Sequence, residues 1–215
     1  MKLLRSLTLA AALVLVGSVA ANAQQNLKFN SGGSVAFDGV YVGPYQASIL
    51  PTGPAIDVFC VDYNHEIHVG DTWTAWFTNL ATGNLLHTRL GGAGVANAQT
   101  IYEQAAWLAL QFKVQPTSDW GSIDYAIWNL TTPGTPNWSN ATNGALWLSR
   151  ARDVHNYSTV NMADWDVITD VNANGMNGGT QEYLTQVTPE PATLLLLGTG
   201  LLGLVAVGFV KRSSV

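Results

Sequence analysis

Two short segments carry the residues best able to do chemistry. Phe59-Cys60-Val61-Asp62 lies in an apolar stretch, Ile56 to Tyr63, that reads as a strand. Asp124-Tyr125-Ala126-Ile127-Trp128 reads as part of a helix. Cys60 is the one cysteine of the chain. No internal disulfide can form, so its thiol is either a buried apolar residue or a group with a task. A carboxylate such as Asp124 has no leaving group for acyl transfer to a thiol, and at neutral pH its charge repels a thiolate. Without a further partner the pair is chemically quiet, with Cys60 in the core and Trp128 as an anchor.

Metal chemistry is the next possibility. Asp62, His65, Glu66 and His68 fall within one short segment. His65 and His68 would face the same way only on a helix, whereas a turn after a strand is expected here. The spacing is not that of a zinc protease. A metal site formed by Asp62, His65 and His68 therefore competes with a polar turn bonded to its own backbone. Asp170-x-Asn172-x-Asn174-Gly175 matches the opening of a calcium loop. The twelfth position, however, is Gln181 rather than Glu, and only one carboxylate lies in the first half. A Gly/Asn-rich turn is the competing reading. No cofactor is expected.

The eight tryptophans invite a sugar-stacking reading. Trp76, Trp107, Trp128 and Trp147 sit in apolar settings that suit a core, while Trp120 and Trp138 lie at loop edges. No Ser-His-Asp context, nucleophile elbow or pair of catalytic carboxylates stands out, so an enzyme is not expected. Residues 24–187 hold five basic residues against thirteen acids, a formal charge of −8. Such a domain repels phosphate backbones, which argues against nucleic acid as a partner.

The elements that must position these residues follow from periodicity. Leu27 to Leu80 reads mostly as strands, with Val35–Phe37 and Val40–Val42 flanking an Asp38-Gly39 turn. Gly91 to Gly94 reads as a flexible link without nucleotide-loop spacing. Asn97, Asp119 and Asn143 each precede a helical pattern, giving helices around 97–156. Val167 to Val187 reads as a turn-rich return with a final strand near Glu182 to Val187. The fold class is α+β: a mostly antiparallel β-sandwich or barrel with an inserted helical subdomain.

The ends of the chain differ from the middle. Lys2 and Arg5 precede an uncharged apolar run, Leu7 to Ala21, and Ala21-Asn22-Ala23 is a small-x-small site. That pattern predicts a signal peptide over 1–23, cut between Ala23 and Gln24 by signal peptidase. At the other end, Thr188-Pro189-Glu190-Pro191 is followed by a 19-residue run without charge, Ala192 to Val210, and then by Lys211-Arg212. A helix of that length spans about 28 Å, close to the hydrocarbon thickness of a bilayer. A transmembrane helix over 192–210 is expected, with Lys211 and Arg212 as its cytoplasmic stop.

The order Pro-Glu-Pro, apolar glycine-containing helix and short basic end resembles the PEP-CTERM sorting signal of exported proteins. The resemblance implies recognition by a membrane protease-transpeptidase, the exosortase, at Pro189, Glu190 and Pro191. It also implies a surface or extracellular destination in the company of extracellular polysaccharide, by way of an inner-membrane-anchored precursor. The basic cluster here has only two residues, followed by Ser213-Ser214-Val215.

The Cys60 and Asp124 segments resemble the thioester domain of bacterial surface adhesins, in which a strand cysteine bonds to a glutamine in a Gln-x-Ala-Ile-Trp helix. That resemblance implies a β-rich core with a helical insertion. Cys60 falls on the cysteine of the pattern and Asp124 on its glutamine, so the pair is a degenerate one. The expected role is a structural or interaction protein of the cell surface or matrix. A glycan- or calcium-binding module is the alternative.

Overall fold

The computed structural model describes residues 23–137 and 143–187. The signal segment 1–22, Trp138, the Pro189-Glu190-Pro191 motif and the transmembrane expectation for 192–210 lie outside the described residues. Among the described residues no helix is long and apolar enough to cross a membrane.

Among the described residues eight strands form in chain order: β1 (Ala23–Ser31), β2 (Val35–Phe37), β3 (Val40–Val42), β4 (Tyr45–Ile49), β5 (Ala55–Cys60), β6 (Thr72–Asn79), β7 (Trp165–Asp170) and β8 (Tyr183–Gln186). Six of them close a barrel in the order β1-β4-β5-β8-β7-β6, and every pairing is antiparallel. Between the two architectures expected, the chain adopts the barrel, in which each wall strand is paired on both sides. Alternation makes the wall two-faced. In β1, Leu27 and Phe29 are buried while Gln24, Asn26 and Lys28 are exposed. The rings of Phe29, Tyr45, Trp73 and Tyr183 meet inside, with centroids 5.9 to 6.3 Å apart.

β2 and β3 form a separate hairpin. Asp38 (φ 51°) and Gly39 (φ 86°) both take the left-handed conformation that a two-residue Asp-Gly turn requires.

Between β6 and β7 the chain inserts helices α1 (Arg89–Gly92), α2 (Ala98–Gln111), α3 (Trp120–Thr131), α4 (Gly144–Arg152) and α5 (Val154–Tyr157). α2 leads into Phe112, which stacks on Phe59 of β5 at 5.8 Å, and Tyr102 of α2 bonds to Glu182 just before β8. The helices therefore cover the outer wall at β5 and β8. Asn97, Asp119 and Asn143 do precede helices, but none of their side chains makes a capping bond.

Three expectations are corrected. The return segment opens inside the strand β7, so Val167 to Asp170 is barrel wall and not turn. Gly91 and Gly92 belong to a helical turn, where a Cβ on Gly91 would lie 2.0 Å from the Leu85 carbonyl oxygen; glycine is there for close packing, not for flexibility. β1 begins at Ala23 rather than Leu27, so the expected cleavage point between Ala23 and Gln24 falls at the first residues of the barrel.

Candidate functional site

The residues of interest gather at one end of the barrel. β5 ends there on Cys60, β7 ends on Asp170, and β8 begins at Tyr183. Three features meet: the Cys60–Asp124 pair, the segment carrying Asp62 and His65, and the loop after Asp170.

Cys60 is 1% exposed. Its Sγ donates to the Asp62 carbonyl at 3.3 Å, and its own carbonyl accepts from Trp128 Nε1 at 3.1 Å. Burial pushes the thiol far up, and the charge of the neighbouring Asp62 adds to the effect. Burial therefore favours the protonated thiol. Asp124 is also 1% exposed; its Oδ2 accepts from the Gly43 backbone N–H at 2.6 Å, and its Oδ1 has no hydrogen-bond partner. Burial raises its carboxyl well above the usual carboxylate range, only partly offset by Gly43. The structure thus brings the strand cysteine and the helix carboxyl into one buried interior, where burial favours the neutral form of each. The Asp124 bond also ties α3 to the base of the β2–β3 hairpin.

Asp62 and His65 come together, with Nδ1 of His65 2.8 Å from Asp62 Oδ2. His68 does not join them. It is exposed and pairs with Asp71 at 3.7 Å. What faces Asp62 is a residue absent from the sequence-level candidates, Arg89. Its Nε lies 2.8 Å from Asp62 Oδ2, an ion pair off the N–H axis rather than a straight hydrogen bond. The guanidinium is 2% exposed, and its other nitrogens donate to the carbonyl oxygens of Gly175 (3.3 Å), Gly178 (2.7 Å) and Thr180 (2.6 Å).

Those carbonyls belong to the loop that resembles a calcium site. The cation held by the loop backbone is the protein's own guanidinium. Asp170 is occupied too. Its Oδ1 accepts from the backbone and side-chain N–H groups of Asn172, and its Oδ2 from Thr180 N–H at 2.9 Å. Asn174 bridges to Asn177 through the backbone. Among the described residues no group of three or more His, Cys, Asp or Glu side chains is placed to hold a metal.

Glu182 completes the network. Its carboxylate accepts from Arg89 N–H (2.7 Å), Thr169 Oγ1 (2.6 Å) and Tyr102 Oη (2.6 Å). Burial raises its carboxyl, against the pull of these donors. One clue to Arg89 existed in the sequence: it is one of only five basic residues in the acidic domain, and it stands beside a run of glycines.

Trp120 is half-buried and packed. Its ring lies over Gly43, where a Cβ would come within 2.3 Å, and meets Phe112 edge-on at 5.7 Å. The ring is used in packing rather than held open to a sugar. Trp76, expected in the core, is half-buried on the outer wall and stacks on His87 at 4.1 Å.

The chain leaves the barrel through Val187, whose N–H bonds to the Asp164 carbonyl at 2.8 Å. Residues 187–212 match the family model of the PEP-CTERM protein-sorting motif. The chain carries a PEP-CTERM sorting motif. The matched residues include Pro189, Glu190 and Pro191, and the match starts one residue after β8 ends. The motif is that of an exported protein processed by an exosortase. No curated protein and no solved structure matches the chain.

Proposed function

We propose that the protein is a structural or interaction component of the cell surface or extracellular matrix, delivered there by its PEP-CTERM tail and working by contact rather than by catalysis. The observation that carries this reading is the sorting motif at 187–212, directly joined to a closed barrel. In this reading the precursor is exported by its N-terminal signal, loses residues 1–23 to signal peptidase, and stays in the inner membrane through 192–210 until an exosortase acts. Extracellular polysaccharide is the proposed companion on arrival. The test is cell fractionation of a Pro189→Ala/Pro191→Ala variant in an exosortase-bearing host. Accumulation of the variant in the inner membrane is expected; wild-type surface levels would contradict the reading.

The barrel with its inserted helices is further read as a thioester-domain-like core that lacks the reactive bond. Support comes from Cys60 and Asp124 sharing one buried interior and from the Trp128–Cys60 hydrogen bond. Asp124→Gln supplies the missing amide. The expected product is a thioester between Cys60 and the introduced glutamine side chain, seen as loss of one ammonia in the intact mass. An unchanged mass would count against this kinship. The rival calcium-binding reading draws no support from the Asp170 loop, since Arg89 already uses its carbonyls.

A further inference from the structure

The barrel has two unlike rims, and the strand registers show which one both chain ends use. Ala23, the first residue of β1, pairs with Phe77 near the end of β6. Asn79, the last residue of β6, pairs with Asp166 at the start of β7. Trp165, the first residue of β7, pairs with Gln186, the last of β8. Three successive pairings thus lead from the point where the chain enters the domain to the point where it leaves. The turn joining β4 to β5, residues 50–54, lies on the same side, because Leu50 N–H donates to the Asn26 carbonyl and Ile49 N–H to that of Pro54.

This rim is also poor in charge. In its connecting segments 50–54, 80–84 and 161–164 Asp164 is the only charged side chain; beside them stand Asp166, bonded to Asn79, and Lys113, bonded to Gln186. The exposed stretches there, 51–54 and 81–84, are made of Pro, Thr, Gly, Ala and Asn alone. The opposite rim differs: residues 61–71 alone carry Asp62, Glu66 and Asp71, together with His65 and His68.

Chain length fixes what the first rim can face. Val187 is five residues from Ala192, where the apolar run begins. Even fully extended, five residues reach only about 17 Å. The headgroup layer takes up about 5–8 Å of that. At the other end only Asn22 separates Ala23 from the apolar run that ends at Ala21.

We infer that the rim formed by 50–54, 80–84 and 161–164 is a lipid-facing surface, resting on the outer headgroups of the membrane that holds 192–210. The opposite rim, with Arg89, Asp62 and the Asp170 loop, points away from the membrane. A negatively charged domain gains by turning its least charged face to a phosphate-bearing surface and its acids to water. This inference rests on the membrane-anchored precursor of the proposed function.

The experiment uses the full chain reconstituted into phosphatidylcholine vesicles that carry a nitroxide on part of their headgroups. A fluorophore is attached at Thr52→Cys or Ala81→Cys on the near rim, or at Val69→Cys on the far rim, where Val69 is 68% exposed. Cys60 is buried, and the unsubstituted chain serves as the blank. Vesicle flotation first asks whether the chain is anchored at all. The expected result is a floating chain with labels at 52 and 81 quenched several-fold more strongly than the label at 69. A chain that does not float overturns the anchoring reading and this inference with it. A floating chain with equal quenching at all three positions, or stronger quenching at 69, overturns the orientation alone. A floating chain with no quenching at any position means that the domain stands clear of the headgroups and likewise overturns it.

Discussion

At the residue scale, charge is managed inside the protein rather than offered to a ligand. The Arg89 guanidinium faces Asp62 on one side and three loop carbonyls on the other, while its backbone N–H donates to Glu182. Buried guanidinium groups of this kind suit planar, multiple hydrogen bonding, and removing one partner leaves the others uncompensated. Asp124 is handled differently: burial favours its protonated form. Its folded value lies above that of an unfolded aspartate, about 3.9. The folded protein therefore binds a proton that the unfolded chain releases. The resulting stability is fully present below about pH 4 and is lost as pH rises toward the folded value. Glu182 contributes a slope of the same sign. Asp124→Asn keeps the shape and the acceptor for Gly43 N–H but cannot ionise. Urea unfolding from pH 4 to pH 8 should show stability falling with pH in the wild type and a shallower fall in Asp124→Asn. Parallel curves would show that Asp124 does not carry the buried proton.

The element scale shows what was legible in the sequence and what was not. The Asp38-Gly39 hairpin appears at the residues expected, because a two-residue turn with two positive φ angles is a strong local constraint. Helices α2, α3 and α4 follow from spacing that places Ala105, Leu108, Ile123, Ile127 and Trp147 inward. β7 was hidden because Trp165 to Asp170 is buried at nearly every position. A wall strand covered by helices on its outer face loses the alternation that reveals a half-buried strand. Arg89 was hidden for a related reason: its partners at positions 62, 175, 178, 180 and 182 are distant in sequence and meet only when the barrel closes. Packing between elements can be tested at Gly121, on the first turn of α3, where a Cβ would lie 2.3 Å from the Phe37 ring of the hairpin. On an open helix face Gly→Ala would stabilise by about 0.8–1.0 kcal/mol. Overpacking costs about 1–3 kcal/mol and should reverse that sign. Gly121→Ala is expected to lower the urea midpoint with the slope unchanged. A raised midpoint would mean that the hairpin does not press on α3.

At the scale of the whole molecule, the chain divides into an address and a cargo. The tail is short, local and readable, since three features in order at one end suffice to define it. The cargo is a closed barrel whose polar end is tied together by its own Asp62, Arg89, Asp170 and Glu182. Both ends of the barrel domain emerge from one rim, so the same face would neighbour the membrane before and after signal cleavage. The proposed function stands or falls on the tail being removed on delivery. That is read most simply by mass spectrometry of both termini of the surface-located form, purified from cells with and without an exosortase. A mature chain beginning at Gln24 and lacking the apolar run 192–210 is expected when the exosortase is present, and a membrane-held chain retaining 192–210 when it is absent. A surface form that keeps 192–210 in exosortase-bearing cells, or reaches the surface equally well without the enzyme, would contradict the proposal.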